Sequence, residues 1–352
     1  MSRRATVVGT GLIGGSVGLA LRRRGWHVSA VDVDAEVAAE AVRIGAADEI
    51  GLDPASELVV IAAPVGAVAE LAIEALEKTS AVVTDVGSTK NSICQAVDNP
   101  RFVGGHPMAG SEQDGLAGAV GDLFDGAMWV LTPLETTDES AFATVRAVVR
   151  SFGTETLALP PDVHDELVAH VSHVPHLTAA ALMNLADVAS IEHRALLRLA
   201  AGGFRDMTRI SAGRPSIWPD ICVANGPAIV EGLDDLIGAL NSVRRLVVEQ
   251  DRAGIMDLLT AARSARINLP VGFGPADDLV ELAVPIPDRP GEIAAIATLA
   301  AELDVNIFDL EISHSGEGRQ GIMLIVVDEA RSERFMGGLM ARSYRPTVRT
   351  ID

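Results

Sequence analysis

The chain is poor in aromatic residues, in cysteine and in positive charge. Phe, Trp and Tyr make up 3% of it, so the core must be built from Ala, Val, Leu and Ile within a hydrophobic share of 48%. At 352 residues there is material for two or three such cores. The two cysteines, Cys94 and Cys222, form no CxxC pair and stand at no metal-ligand spacing. This excludes a disulfide scaffold and a cysteine-based metal site and leaves two reduced thiols. Lys and Arg total 28 against 48 Asp and Glu, a net charge of −20. Such a surface repels phosphate backbones, so no nucleic-acid partner is expected. An anionic substrate is still admissible if a local cation holds it. No unbroken apolar stretch of about 18 residues is found, so no membrane partner is expected. The start, MSRRATVVGTG, has no apolar run of signal-sequence type before its glycines. The expectation is a cytoplasmic protein.

Three patterns follow one another. Over residues 1–158 short β-branched runs, 5–9, 27–32, 57–63, 81–86, 102–105 and 127–133, alternate with helical stretches such as 14–24, 35–44 and 66–77. That alternation predicts an α/β Rossmann-type parallel sheet wound on both faces. Residues 159–270 contain no convincing strand and predict an all-helical domain, including a helix over 192–202 and a long one over 234–265. Such a block must bury its apolar faces, and a second copy is a common cover, so a homodimer is expected. After a Gly- and Pro-rich linker at 267–278, residues 278–352 read β-α-β-β-α-β, the order of a small ferredoxin-like α+β domain.

VVGTGLIGGS places Gly9, Gly11 and Gly14 in GxGxxG spacing between a strand and a helix. Gly9 allows the tight turn, Gly11 lets a pyrophosphate approach the backbone, and Gly14 lets helix and strand pack closely. Amides at the helix start, including those of Leu12 and Ile13, are placed for the phosphates. Asp32 ends the second strand, where a carboxylate would hold the adenosine ribose and repel a 2′-phosphate. NAD is therefore the expected cofactor. A ligand-free glycine turn is the bland alternative, but turn, helix and acid coincide here.

Two further loops follow strands at the edge where ligands bind in this fold. In DVGSTK, Ser88 is a small hydroxyl after a glycine, Thr89 or Ser88 is a candidate helix cap, and Lys90 either closes the loop or lies near phosphate. In GGHPMAGSE, His106 follows an apolar strand and can take a proton near neutral pH. Taken alone, a histidine there is more often a structural hydrogen bonder.

GTGLIGGS, DVGSTK, HPMAGSE, VSHVPH and GGFRDMTRI followed by a Trp, in that order, resemble the prephenate and arogenate dehydrogenases over roughly residues 5–270. The resemblance implies an NAD-binding domain, a dimerising helical domain, a site between them, and oxidative decarboxylation of prephenate to 4-hydroxyphenylpyruvate in tyrosine biosynthesis. It makes His106 the acceptor for the C4 hydroxyl, with Ser88 orienting that hydroxyl. Arg209 matches the family's substrate arginine, suited to bidentate carboxylate binding. His176 would meet the pyruvyl side chain or the nicotinamide edge. Ser172 and His173 line the same turn, and Pro175 should kink the helix there. Asp206 and Trp218 match pocket or interface residues. Glu112 and Arg205 are candidates to pair as a gate, against the simpler reading of two solvated side chains. His170, His173 and His176 are spaced by three, which raises a metal site. Zinc usually recruits Cys or acidic partners as well, and the reaction needs no metal, so none is expected.

PIPDRPGEIAAIATLAAELDVNIFDLEI resembles an ACT regulatory domain. The resemblance places an amino-acid effector, tyrosine by pathway logic, at Asp288, Pro290, Gly291 and Asn306, where free helix-start amides can hold a carboxylate. The bland alternative is added dimer surface. Two competing functions stay open: arogenate as substrate, and a non-catalytic NAD and amino-acid sensor. A reductase sharing only the nucleotide fold would not predict VSHVPH.

Overall fold

The computed structural model describes residues 2–350, apart from 111, 112, 114, 194, 195, 269–278, 288 and 315–319. The chain forms two compact units, Met1–Leu240 and Asn241–Asp352.

The first unit is built on eight strands: β1 (Arg4–Val8), β2 (His27–Val31), β3 (Glu49–Ile50), β4 (Leu58–Ile61), β5 (Val82–Asp85), β6 (Phe102–Pro107), β7 (Met128–Thr132) and β8 (Glu155–Ala158). Their order is β3-β2-β1-β4-β5-β6-β7-β8, with β1 to β6 parallel. Helices α1 (Leu12–Arg23), α2 (Ala35–Arg43), α3 (Val65–Lys78), α4 (Asn91–Val97) and α5 (Glu139–Ser151) make the crossovers. Alternate strand residues enter two separate cores: Ala5, Val7, Leu58 and Val60 in one, Val8, Val59 and Ile61 in the other. Period-two alternation into two apolar clusters is what a sheet covered on both faces requires. Cys94 sits in the second cluster, and burial pushes its thiol up to about 11, so it stays protonated and inert.

The sheet is not wholly parallel. β7 pairs antiparallel with β6, and β8 then runs parallel to β7. A parallel neighbour needs a crossover helix, and between β6 and β7 the described residues form only the single turn Leu116–Gly118. The edge strands β3 and β8 escaped the sequence reading because β3 has two residues and β8 is mostly exposed, so neither shows an apolar alternation.

The helical part of this unit comprises α6 (Pro161–Val168), a wide π turn at Ala169–His173, α7 (Val174–Glu192), α8 (Gly202–Thr208), α9 (Trp218–Ala224) and most of α10 (Gly226–Val248), whose last residues belong to the second unit. The irregularity expected from Pro175 lies just before it: the helix widens over Ala169–His173 and restarts with Pro175 in its first turn, where a missing amide costs nothing. Of the helix expected over 192–202, the described residues between the end of α7 and the start of α8 form only the short 3₁₀ turn Leu196–Leu199. The long helix expected over 234–265 breaks into α10 and α11 (Arg252–Ile267), because Gln250 turns left-handed at φ 53° and Asp251 caps the restart through Gly254 N.

The helical run Pro161–Ile191 is long and apolar enough to cross a membrane by length and composition. It also carries His164, Asp165 and His173, all buried by the rest of the unit. Buried residues of α6 follow the stripe Pro161, His164, Asp165, Val168, facing the sheet. A segment so engaged is a site helix. Farther along, Leu185, Val188 and Ile191 are exposed, and Ala169, Ile221 and Ile229 form a small buried cluster.

In the second unit, β9 (Leu279–Pro287), β10 (Ile307–His314), β11 (Gln320–Asp328) and β12 (Thr347–Thr350) form an antiparallel sheet in the order β10-β11-β9-β12. With α12 (Glu292–Glu302) and α13 (Glu329–Ala341) this is the β-α-β-β-α-β arrangement expected. Leu282, Ile296, Met323, Ile325, Phe335 and Leu339 fill its core. Of the linker expected at 267–278, Ile267 instead ends α11, and residues 269–278 lie outside the described residues.

Candidate functional site

The strand order reverses between β1 and β4, and the glycine turn lies at the C-terminal end of β1, the place where open α/β sheets take ligands. Gly9 has φ +89°, and a Cβ there would meet Ala62 O at 2.4 Å. A Cβ on Gly14 would fall 1.8 Å from Gly9 O. Neither position admits a side chain. Gly11 starts α1 without a side-chain cap, and a Cβ on it would meet nothing within 4 Å. The start of α1 at Gly11 therefore borders open space, which leaves room for a pyrophosphate beside the helix N-terminus. Asp32 Oδ2 accepts from Thr10 N at 2.7 Å and from Thr10 Oγ1 at 2.9 Å, and Oδ1 accepts from Asp34 N at 3.0 Å. That holds the carboxylate beside the turn. These residues fit a dinucleotide.

Asp85, at the end of β5, organises the next loop. It is fully buried, accepts from Gly87 N at 2.8 Å and Gly105 N at 3.0 Å, and pairs with the equally buried ammonium of Lys90. Lys90 is thus an internal clamp, and the reading that put it near phosphate is corrected. One carboxylate ties the loop carrying half-buried Ser88 to the strand carrying His106. The capping role offered for Thr89 or Ser88 is also corrected. Thr89 is buried with Oγ1 unpartnered among the described residues. The amides of Lys90 and Asn91 at the start of α4 are instead accepted by Asp165 of α6, at 2.7 and 2.9 Å.

His106 lies on β6 and is 9% exposed. Its Nδ1 is 2.9 Å from His164 Nε2, and His164 Nδ1 is 2.8 Å from Asp165 Oδ1. Neither His164 nor Asp165 stood out in the sequence. Burial, then the nearby His164, Lys90 and His173, hold the His106 ring well below the usual histidine range. It is accordingly a neutral imidazole at pH 7, more acid-resistant than the near-neutral group expected.

Asn225, also unforeseen, joins this row to α7. Its amide donates to Asp165 O at 2.7 Å and to His173 Nδ1 at 3.2 Å. His173 Nδ1 is then the acceptor and Nε2 carries the proton, buried and unpartnered among the described residues. The Trp218 ring meets His173 edge-on at 6.0 Å and stacks on His176 at 3.7 Å. A methyl placed on Gly213 would lie 3.7 Å from His176 Cε1, so the turn Arg209–Ala212 leads directly to that ring. His106, His173, His176 and Trp218 thus belong to one connected cluster, with the Arg209 turn beside it.

Burial holds His173 down at about 4. An unfolded chain titrates its histidines near 6.5, so between those values the unfolded state binds more protons. The stabilisation from a neutral His173 is complete above about pH 6.5 and is lost as pH falls toward about 4, at about 1.4 kcal/mol per pH unit; His106 acts in the same direction. The thermal unfolding temperature should therefore fall measurably from about pH 7 to pH 5, and His173→Gln should flatten part of that slope. Identical slopes in the two proteins would contradict the assignment.

The remaining candidates fall as follows. Ser172 is half-buried in the π turn, while Arg205, Asp206 and Arg209 are exposed on or beside α8. Arg205 Nε donates to Ala200 O at 3.2 Å, and its proposed gate partner Glu112 lies outside the described residues. The three spaced histidines have separate surroundings, His170 being exposed and bonded to Glu166 O, and no metal-competent cluster of three exists among the described residues. Asp288 lies outside the described residues. Pro290 and Gly291 are exposed at the start of α12, with Gly291 at φ +97°, and Asn306 is exposed just before β10.

The first unit has close counterparts. Residues 17–158 match the family model described as prephenate dehydrogenase, nucleotide-binding domain, and residues 160–261 match prephenate dehydrogenase, dimerization domain. The prephenate dehydrogenase of Bacillus subtilis (strain 168) is 33% identical over 337 residues, 91% of this chain and 90% of its own. The structure of prephenate dehydrogenase from A. aeolicus, in complex with hydroxyphenyl propionate and NAD+, superposes with TM-score 0.72 at 29% identity, covering 77% of this chain and 99% of that one. Synechocystis arogenate dehydrogenase gives TM-score 0.65 at 31% identity, over 75% of this chain and 98% of that one. Similarity of this extent, running through both domains that carry the site, shows that the chain belongs to the prephenate dehydrogenase family.

Proposed function

We propose that this chain oxidatively decarboxylates prephenate with NAD, yielding 4-hydroxyphenylpyruvate. The observation that carries the reading is a buried, neutral His106 beside the loop of Ser88 and near the glycine turn's edge of the sheet. NAD held by the Gly9–Gly14 turn and Asp32 supplies the hydride acceptor. His106 takes the proton of the C4 hydroxyl as that carbon loses hydride and becomes a carbonyl. Ser88 orients the hydroxyl. As the C1–carboxylate bond breaks, its electron pair enters the ring, carbon dioxide leaves, the ring becomes aromatic, and the C4 oxygen takes the proton back from His106 to give the phenol. Arg209 binds and positions the ring carboxylate; a tighter neutralising pair would resist its departure. His176, flattened against Trp218, faces the side chain, with Ser172, His173 and Asp206 around it.

The exposed Leu185, Val188 and Ile191 support a homodimer formed through the helical domain. For the second unit we propose an ACT-type sensor of tyrosine, supported by its strand order and by the left-handed Gly291 turn that opens α12.

Arogenate is the second reading, favoured by the similarity to the Synechocystis enzyme. NADH formation with each substrate offered separately at equal concentration decides between them. Strong turnover of prephenate alone supports the proposal. Preference for arogenate keeps the cofactor and His106 but overturns the side-chain pocket, and turnover of neither, with NAD bound, overturns the enzyme reading in favour of a sensor.

A further inference from the structure

We propose that His164 and Asp165 are positioning residues that fix His106 in a single tautomer, with Nδ1 protonated and Nε2 a bare acceptor. The inference rests on the reading of His106 as the hydroxyl's proton acceptor and explains how that acceptor exists before substrate arrives.

The order of protons along the row follows from its far end. Asp165 receives the amides of Lys90 at 2.7 Å and Asn91 at 2.9 Å as well as the His164 ring at 2.8 Å. A carboxylate that meets three N–H donors uses its oxygens as acceptors. His164 Nδ1 therefore carries a proton. A neutral imidazole protonated there has its lone pair on Nε2. The 2.9 Å contact from His164 Nε2 to His106 Nδ1 is then made by a proton on His106. One nitrogen of His106 is left to accept, and it is the one that His164 does not touch.

The opposite arrangement, a doubly protonated His164, would turn His106 Nδ1 into the acceptor and Nε2–H into a donor. A donor cannot take the hydroxyl proton. The two arrangements therefore predict opposite chemistry from the same distances. Other charged or titratable groups near the pair, Lys90 and His173, sit on the two elements that pack around it. The proton His106 gains in the reaction is also placed well, because the row ends in a carboxylate that stabilises an imidazolium two rings away. His164 is buried outright and Asp165 nearly so, which keeps water from competing for these bonds.

The test uses the full chain with NAD and prephenate. Phe at position 164 removes the acceptor while keeping a ring, whereas Gln can return an oxygen near the lost Nε2. His164→Phe should lower kcat and kcat/KM together by about 10²-fold or more, since wrong-tautomer losses reach about 10⁴-fold, and His164→Gln should recover most of that. Side-chain ¹⁵N spectra of the wild-type protein should show His106 with a protonated Nδ1 and an unprotonated Nε2, and His164→Phe should mix the two tautomers. Equal losses in Phe and Gln variants, a loss confined to KM, or a wild-type His106 protonated at Nε2 would overturn the proposal. The ¹⁵N result stands apart from catalysis: a fixed tautomer in a protein whose His106→Asn variant remains fully active would overturn the acceptor reading instead.

Discussion

His106→Asn is expected to lower kcat by about 10³-fold, within the range for losing a positioned proton acceptor, with little change in KM or in NAD affinity. The amide of Asn fits the strand but has no basicity, so the hydroxyl proton must go to water. The neighbours of His106 argue for a loss in chemistry more than in binding. The ring is buried and neutral, it is held by His164 at 2.9 Å, and its strand is fastened to the Ser88 loop through Asp85. Steady-state kinetics on prephenate, beside an independent measurement of NAD binding, checks this. A loss below about tenfold, or one that appears wholly in KM, would assign His106 a binding role and move the proton transfer elsewhere.

Lys90→Met should destabilise the first unit by about 3–5 kcal/mol, the usual result of stranding one partner of a buried ion pair. Asp85 and Lys90 are both completely buried, and the carboxylate keeps only the Gly87 and Gly105 amides once the ammonium is gone. Two amide donors do not replace a full positive charge, although they place the expected loss toward the lower end of that range. At about 2–4 °C per kcal/mol for a unit of this size, the unfolding temperature should fall by roughly 6–20 °C. Asp85→Asn combined with Lys90→Met should regain much of the loss, because no charge is then left unpaired. A single variant that unfolds within about 1 °C of the wild type would show that the pair is solvated in solution. The prediction separates folding from catalysis, since Lys90 is placed in the clamp and not against a ligand.

The residues that could be read directly were those whose role is local. Gly9 and Gly14 announce themselves because the turn forbids a side chain whatever the rest of the fold does, and Asp32 because it follows at a set distance along the same βαβ unit. Strands were legible as continuous apolar runs where both faces are covered, as in β4, and illegible in the exposed β8. The reversal of β7 left no trace in periodicity, which is blind to strand direction. The helix break at Gln250 was missed because apolar spacing continues across it, while the capping Asp251 that ends the pattern looks like one more surface charge.

The catalytic surroundings depended on residues that are far apart in the chain. His106 and His164 are separated by 58 positions and Asn225 and Asp165 by 60, and no local rule pairs them. One signal was available: Pro161, His164, Asp165 and Val168 share the i, i+3, i+4, i+7 stripe that a helix buries, so a histidine and an aspartate on it required partners. By itself the sequence determined the nucleotide turn and the succession of folds, because each follows from short-range sterics or periodicity, whereas His106 was singled out only by the resemblance of its motif. Only the tertiary structure decided which charges are internal and which nitrogen of His106 is left to accept, because burial and proton placement are properties of neighbours brought together by the fold.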